Sequence, residues 1–322
     1  MTLTLHDIDF RTELPQIPSR MPVARTAAQC EHDRVAAFKA LREVLDLGDA
    51  IDVDLPDGFA IASKRGEIQM FAASGGIRAR DAEASSRFTD ERRPWDDIAK
   101  RETRRGTEYT LGDQTAERLM GDARSILERA GLADAGVAGI DVTLAQWALL
   151  DEKGTELDSG PGQATVRLSY QIEGTPLIGA GAKTRLHYDP QDGEPRLARL
   201  FHVNRRVEEV RGVDIGGMEP AFADMLSDPW LAEQTKRGGR IAVIGLQVGL
   251  LAQPAMVPQR FAYPAVAVEG VVEGLRDPRS GEYELRFGRI YPAASAEALR
   301  RAGVAVPIAQ PAAPRRPKNQ NA

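Results

Sequence analysis

The 322-residue sequence has very little cysteine: Cys30 stands alone. An internal disulfide and any multi-cysteine zinc or iron–sulfur site are therefore excluded. Histidine is scarce too, with four in the chain, and none is followed by Glu, so the HExxH metalloprotease pattern does not occur. Aromatics make up 6% of residues, too few to favour a base-stacking platform. No charge sign is in large excess: 42 Lys and Arg against 47 Asp and Glu leave −5, which argues against a general grip on nucleic acid or an anionic lipid surface. The longest apolar run, Ile241 to Ala252, is broken by Gly245, Gln247 and Gly249 and is too short to span a bilayer.

The start, MTLTLHDIDFRTELPQIPSR, has no basic opening, apolar core or small-residue cleavage site. The expectation is a cytoplasmic protein; an exported chain whose leader had been removed would read the same way.

What is present is a soluble composition, 42% hydrophobic and 28% charged, with clear periodic segments. A helix is expected over Ala27 to Leu47: Thr26 and Gln29 suit a capping box, Val35, Phe38, Leu41 and Leu45 share one face, and Gly48 can close the end. Phe59–Ile61 and Ile68–Phe71 flank Lys64-Arg65-Gly66 as a hairpin. Residues 76–112 are dense in both charge signs and read as an exposed connector, with a short helix after Pro94. A second helix runs from Gln114 to Ala130, with Asp113 as N-cap, Gly131 as stop, and Leu119, Ala123, Ile126 and Leu127 in its apolar stripe.

The period then changes to two. Ala164, Val166, Leu168, Tyr170 and Ile172 alternate with polar residues, as in a strand with one buried and one wet face. Strands are also expected over Val142–Leu150, Lys183–Tyr188 and Leu197–Val207, the last two turned at Asp192-Gly193. A helical insert from Glu219 to Lys236, broken by Pro229, precedes strands Ile241–Leu251, Tyr263–Val272 and Glu282–Ile290. The last two of these turn at 277–281, and a small helix runs from Ser295 to Ala302. The pattern of helix followed by antiparallel strands occurs twice and defines an α+β fold. The expected organisation is an N-terminal α+β unit over 1–75, the connector over 76–112, a C-terminal α+β domain over 113–305 and a disordered Pro-rich tail over 306–322.

Motifs for chemistry are thin. GTPLIGAGAKT at 174–184 ends in Lys-Thr, but Ala182 and Leu177 occupy the places where a phosphate loop needs Gly. Its glycines suit a bulge or tight turn instead. No GxSxG occurs, and Cys30 reads as a small helix residue rather than a nucleophile. Asp96 and Asp97 read as a solvated pair, and the basic groups Lys100–Arg105 and Arg315–Lys318 are offset by acids or lie in the tail. The best polar candidates for a ligand site are His187, Tyr188, Asp189 and His202, which a hairpin of their two strands could bring together; two histidines and a carboxylate would suit zinc or iron(II). The plainer reading is that such residues decorate a wet sheet face, and no metal or other cofactor is expected.

SYQIEGTPLIGAGAKTRLHYDPQDGEPRL, through Tyr170, Gln171, Gly174, Pro176, Gly179, Asp192 and Gly193, is similar to the strand–turn–strand of PepSY-like domains and thermolysin-type propeptides. The later GLQVGLLAQPAMVPQRFAYPAVAVEG loosely resembles the terminal strands of related cystatin-like regulatory proteins. The resemblance implies a helix wrapped by an antiparallel sheet, and protein binding of an inhibitory, chaperoning or regulatory kind. The reading is a non-enzymatic regulator, inhibitor or assembly factor of tandem cystatin-like units. Its partner would be another protein or further copies of itself, with no nucleic acid and no membrane span. The alternatives are a small-ligand binder or enzyme with its site on the concave sheet face, and a structural subunit of a larger assembly.

Overall fold

The computed structural model describes residues 3–28, 31–82, 95–103, 106–133, 136–152, 155–191, 194–277 and 281–304. The fold is α+β, with mostly antiparallel strands and few helices. The chain forms two compact units: a larger one from residues 24–210 and 252–262, and a smaller one from the described residues of 1–23, 211–251 and 263–322. This replaces the division at 75/76 and 112/113. The stretch read as a connector contains the strand Ile77–Asp81, which pairs with Gly66–Phe71 on one side and Glu194–Val203 on the other. It also contains an antiparallel hairpin, Ile98–Thr103 with Gly106–Leu111, where a helix after Pro94 was expected. Cys30, Gln29, the Asp192-Gly193 turn and the 306–322 tail lie outside the described residues.

In the larger unit a helix followed by antiparallel strands occurs twice, with four strands the first time and five the second. Helix Glu31–Val44 leads to Ile51–Leu55, Gly58–Ser63, Gly66–Phe71 and Ile77–Asp81. Helix Asp113–Arg129 leads to Val137–Leu150, Glu156–Ile172, the short Thr175–Gly179, Lys183–Gln191 and Glu194–Val203. The last strand of each set pairs with the other, Arg199 opposite Arg80 and His202 opposite Ile77, so the two meanders join into one sheet.

Local chemistry explains both helix ends. Gly131 takes φ 64°, Leu132 N–H donates to Leu127 carbonyl at 2.8 Å and Gly131 N–H to Glu128 carbonyl at 3.0 Å, a Schellman stop. After the first helix both Asp46 (φ 47°) and Gly48 (φ 60°) are left-handed; Asp46 makes the stop itself, where Leu47 N–H reaches Arg42 carbonyl at 3.1 Å. The proposed capping box fails because Thr26 belongs to the strand Arg20–Ala27, where its hydroxyl donates to Gln259 carbonyl at 3.1 Å.

Both helices cover the same sheet face. Phe38 and Leu41 from the first, Leu45 just after it, and Leu119, Ile126 and Leu127 from the second join Ile68, Val166, Leu186 and Leu200 in one core. Trp95 is buried there, and its indole N–H donates to Gly162 carbonyl at 2.8 Å. The opposite sheet face carries no helix among the described residues of this unit.

In the smaller unit Arg240–Ala252, Pro264–Asp277 and Gly281–Pro292 form an antiparallel meander, and Ile8–Phe10 adds in parallel at Ile241–Val243. Pro229 splits the expected insert into helices Glu219–Leu226 and Pro229–Lys236. Asp228 caps the second: one oxygen accepts from Trp230 N–H at 2.8 Å, and the other from Tyr291 hydroxyl at 2.9 Å and Arg289 at 3.2 Å. The Arg289 guanidinium also lies 4.7 Å from the Trp230 ring centre, so its buried charge has both an anion and a π face.

Candidate functional site

Side chains on successive strand residues point to opposite faces, and register partners share one. Thr184 pairs with His202 and His187 with Arg199, so the two histidines lie on opposite faces of the larger unit's sheet. The four residues predicted to form a site therefore divide into two pairs. Tyr188 and His202 face the helices and are 0% exposed; His187 and Asp189 share the other face.

On the helix-covered face, Tyr170 hydroxyl lies 2.6 Å from Thr184 Oγ1, which lies 2.7 Å from His202 Nδ1. This chain is closed to solvent. Burial lowers the His202 pKa from 6.5 to about 4, so the ring is neutral at physiological pH. Burial also raises the Tyr188 phenol, reinforced by Asp122 on the second helix. Buried groups that hydrogen-bond to one another and not to a cavity hold a core together.

The other face is different. Two adjacent rows cross the strands. One reads Asp141, Arg167, Arg185, Phe201, Arg78, Gln69; the next reads Thr143, Thr165, His187, Arg199, Arg80, Glu67. All five arginines are exposed. Glu67 pairs with Arg78 at 2.8 Å and with Arg80 at 3.9 Å. Arg167 and Arg185 have no carboxylate partner among the described residues. Lys183 adds a further cation, 6.0 Å from the Phe201 ring centre. Desolvation lowers the His187 pKa, and the fields of Arg199, Arg185 and Arg167 lower it further, while its Nδ1 lies 3.0 Å from Thr165 Oγ1. Asp189, 8% exposed, is raised by burial and countered by Gln163 and Arg199. Asp81, fully buried, pairs with Arg196.

One end of this face is apolar. Phe71 and Val203 pack with Ala255, and Phe201 packs against them. Ala255 belongs to the 252–262 segment, which is tied down from within the unit. Arg205, 6% exposed and with no carboxylate partner among the described residues, donates to the carbonyls of Gln253 (2.8 Å), Pro254 (3.1 Å) and Val257 (2.7 Å). Gln259 accepts from Gln253 N–H and donates to Phe261 carbonyl, each at 2.8 Å. A Cβ at Gly181 would collide with the Gln253 carbonyl, which accounts for one glycine of the 174–184 run. The strand Lys183–Gln191 follows that run, so it lacks the helix a phosphate loop requires. Met256 and Val257 project from the fixed segment, 62% and 40% exposed.

The arginines were missed because strands scatter them along the chain. Their signal is alternation with apolar residues, in IRAR at 77–80, VRL at 166–168, TRLHY at 184–188 and RLARLF at 196–201, and not the contiguous runs searched for. No set of three or more His, Cys, Asp or Glu suited to a metal occurs among the described residues. A groove of about 640 Å³ beside the first helix, lined by Phe38, Lys39, Arg42, Asp52, Phe59 and Met70, is a separate feature.

No family model matches the sequence, and no curated protein does. Among solved structures, the fold is similar to the crystal structure of an uncharacterized protein from Eubacterium rectale. The TM-score is 0.51 at 11% identity, over 86% of this chain and 84% of that one. That likeness concerns the fold. No described helix is long and apolar enough to cross a membrane.

Proposed function

We propose that this chain is a non-enzymatic protein-binding factor, a regulator, inhibitor or assembly factor, built on tandem cystatin-like units. Its open sheet face would receive an acidic surface of a partner protein. The observation that carries the reading is the pair of rows with Arg78, Arg80, Arg167, Arg185 and Arg199 around Phe201 on a helix-free face. Arginine and aromatic side chains are the residues that anchor protein interfaces, and a local field of one sign steers a partner of the other. The reading of tandem units draws on the order of helix then antiparallel strands, which occurs twice in the larger unit. The net charge of −5 favours an acidic protein segment over a nucleic acid, whose longer reach would feel the whole molecule's field.

The test is fluorescence anisotropy with labelled hexaglutamate, hexaglutamine serving as control. The expected result is binding that weakens with salt and falls about tenfold or more in the R167E/R185E variant. Equal binding of both peptides, or no effect of the reversal, would contradict the reading.

A further inference from the structure

We infer that the edge strand Ile51–Leu55 of the larger unit is a second docking site, which takes up an extended peptide of alternating apolar and basic residues by strand addition. The site is distinct from the arginine face and stands without it.

Ile51–Leu55 is the last strand on its side of the sheet: among the described residues it pairs with Gly58–Ser63 alone. Opposed residues of an antiparallel pair alternate between exchanging both backbone bonds and exchanging none, so every second residue from 51 to 55 turns its N–H and C=O outward. Among the described residues no group meets them from that side. Such a row is a template for one more strand.

The two sides of this edge differ. Register sets Asp52 opposite Ile61 and Asp54 opposite Phe59. Ile61 belongs to the core under the helices and Phe59 packs against it, so both aspartates stand on the helix side. Both are exposed, and neither has an ion pair among the described residues. Ile51, Val53 and Leu55 share the other side, with Ile51 70% exposed. The groove of about 640 Å³ beside the first helix reaches this margin: Phe38, Phe59, Ile61 and Met70 give it an apolar lining, and Asp52 lines it from the edge strand. On its helix side Arg42 spends Nε and Nη2 on the Gly48 carbonyl. An added strand therefore finds backbone partners along the edge, an apolar groove beside it and two carboxylates at every second position.

That pattern selects the occupant. A lysine or arginine at alternate positions reaches Asp52 and Asp54 with its charged head while its stem covers apolar surface. Valine or isoleucine between them continues the row of Ile51, Val53 and Leu55. A second copy of this edge is excluded: antiparallel pairing about Val53 sets Asp52 against Asp54 twice, and like charges directly opposite destabilise a sheet. The aspartates that block self-pairing thus admit a basic strand.

The experiment uses the full chain and fluorescence anisotropy with labelled Lys-Val-Lys-Val-Lys-Val-Lys. The same peptide N-methylated at every amide keeps its charge and cannot donate to the edge; Lys-Lys-Val-Val-Val-Lys-Lys keeps the composition without the alternation. The alternating peptide is expected to bind, and N-methylation, reordering and the D52K/D54K variant are each expected to weaken binding by about tenfold or more. Saturating peptide is expected to slow amide hydrogen exchange of the wild type in residues 51–55 and not in Lys183–Gln191 on the arginine face. That measurement needs no substitution, so it decides the matter even if the variant fails to fold. Absence of binding, equal binding of the N-methylated peptide, exchange that slows elsewhere and spares 51–55, or a D52K/D54K variant that unfolds at the wild-type urea concentration and binds as tightly each overturns the proposal. None of these outcomes touches the acidic-partner reading, whose probe is a polyanion.

Discussion

Leu186 and Arg185 are neighbours in one strand, yet Leu186 is 0% exposed beneath two helices while Arg185 meets water on the helix-free face. The same holds for Leu200 against Arg199, and for Val166 against Arg167. The covered face holds Tyr170, Thr184 and His202 as a closed polar chain in an apolar core. The open face holds five exposed arginines, of which Arg78 and Arg80 pair with Glu67. Alternation thus gives one strand two environments: every second residue stabilises the sheet, and the ones between meet solvent.

The comparison can be broken by substitution one residue apart. Leu186→Ala opens a cavity in the core and is expected to cost about 2–5 kcal/mol of unfolding free energy. Arg185→Ala is expected to change it by less than about 0.5 kcal/mol, because an exposed side chain without a buried partner is lost. Urea denaturation of both variants checks this; equal losses would mean that the open face is not open.

The next largest effect is the acid sensitivity of the covered face. The folded chain releases the His202 proton at about 4, the unfolded chain at 6.5. As pH falls, the unfolded state binds that proton first. The stability from the neutral ring is complete above pH 6.5 and is lost progressively toward pH 4, by about 3 kcal/mol in all. His202→Asn should flatten that part of the stability-versus-pH curve, measured by denaturation at a series of pH values. A wild-type curve already flat across the window would contradict the burial assigned to His202.

A smaller effect is expected at the apolar end of the open face. Arg205→Met leaves three carbonyls without their donor and should cost about 1–3 kcal/mol. Hydrogen exchange should accelerate in residues 252–262 before it does in the helices. Uniform acceleration would mean that Arg205 supports the whole unit and not that segment.

Much of this was legible in the sequence. The second helix, its buried stripe and its Gly131 stop follow from periodicity and capping chemistry, and so does the alternating strand over 164–172. Ile77–Asp81 was missed because its inward residues, Ile77, Ala79 and Asp81, include a small side chain and a buried carboxylate. The segment therefore looks merely charged; the Arg196 pairing, 115 positions away, helps to keep Asp81 inside. The histidines misled for a related reason. A one-residue change of register moves a side chain to the other face, and the turn that sets this register could be located but not typed. With Thr184 opposite His202, His187 falls on the far side. Domain boundaries failed because each unit is built from segments distant in sequence.

The central claim is that the arginine rows, and not the chain's net charge, recognise an acidic surface. Its most direct test is titration of labelled hexaglutamate into wild type and R167E/R185E across a range of salt concentrations. The account predicts binding that falls steeply with salt in the wild type and is weaker by about tenfold or more in the variant. Identical curves for the two proteins would contradict it.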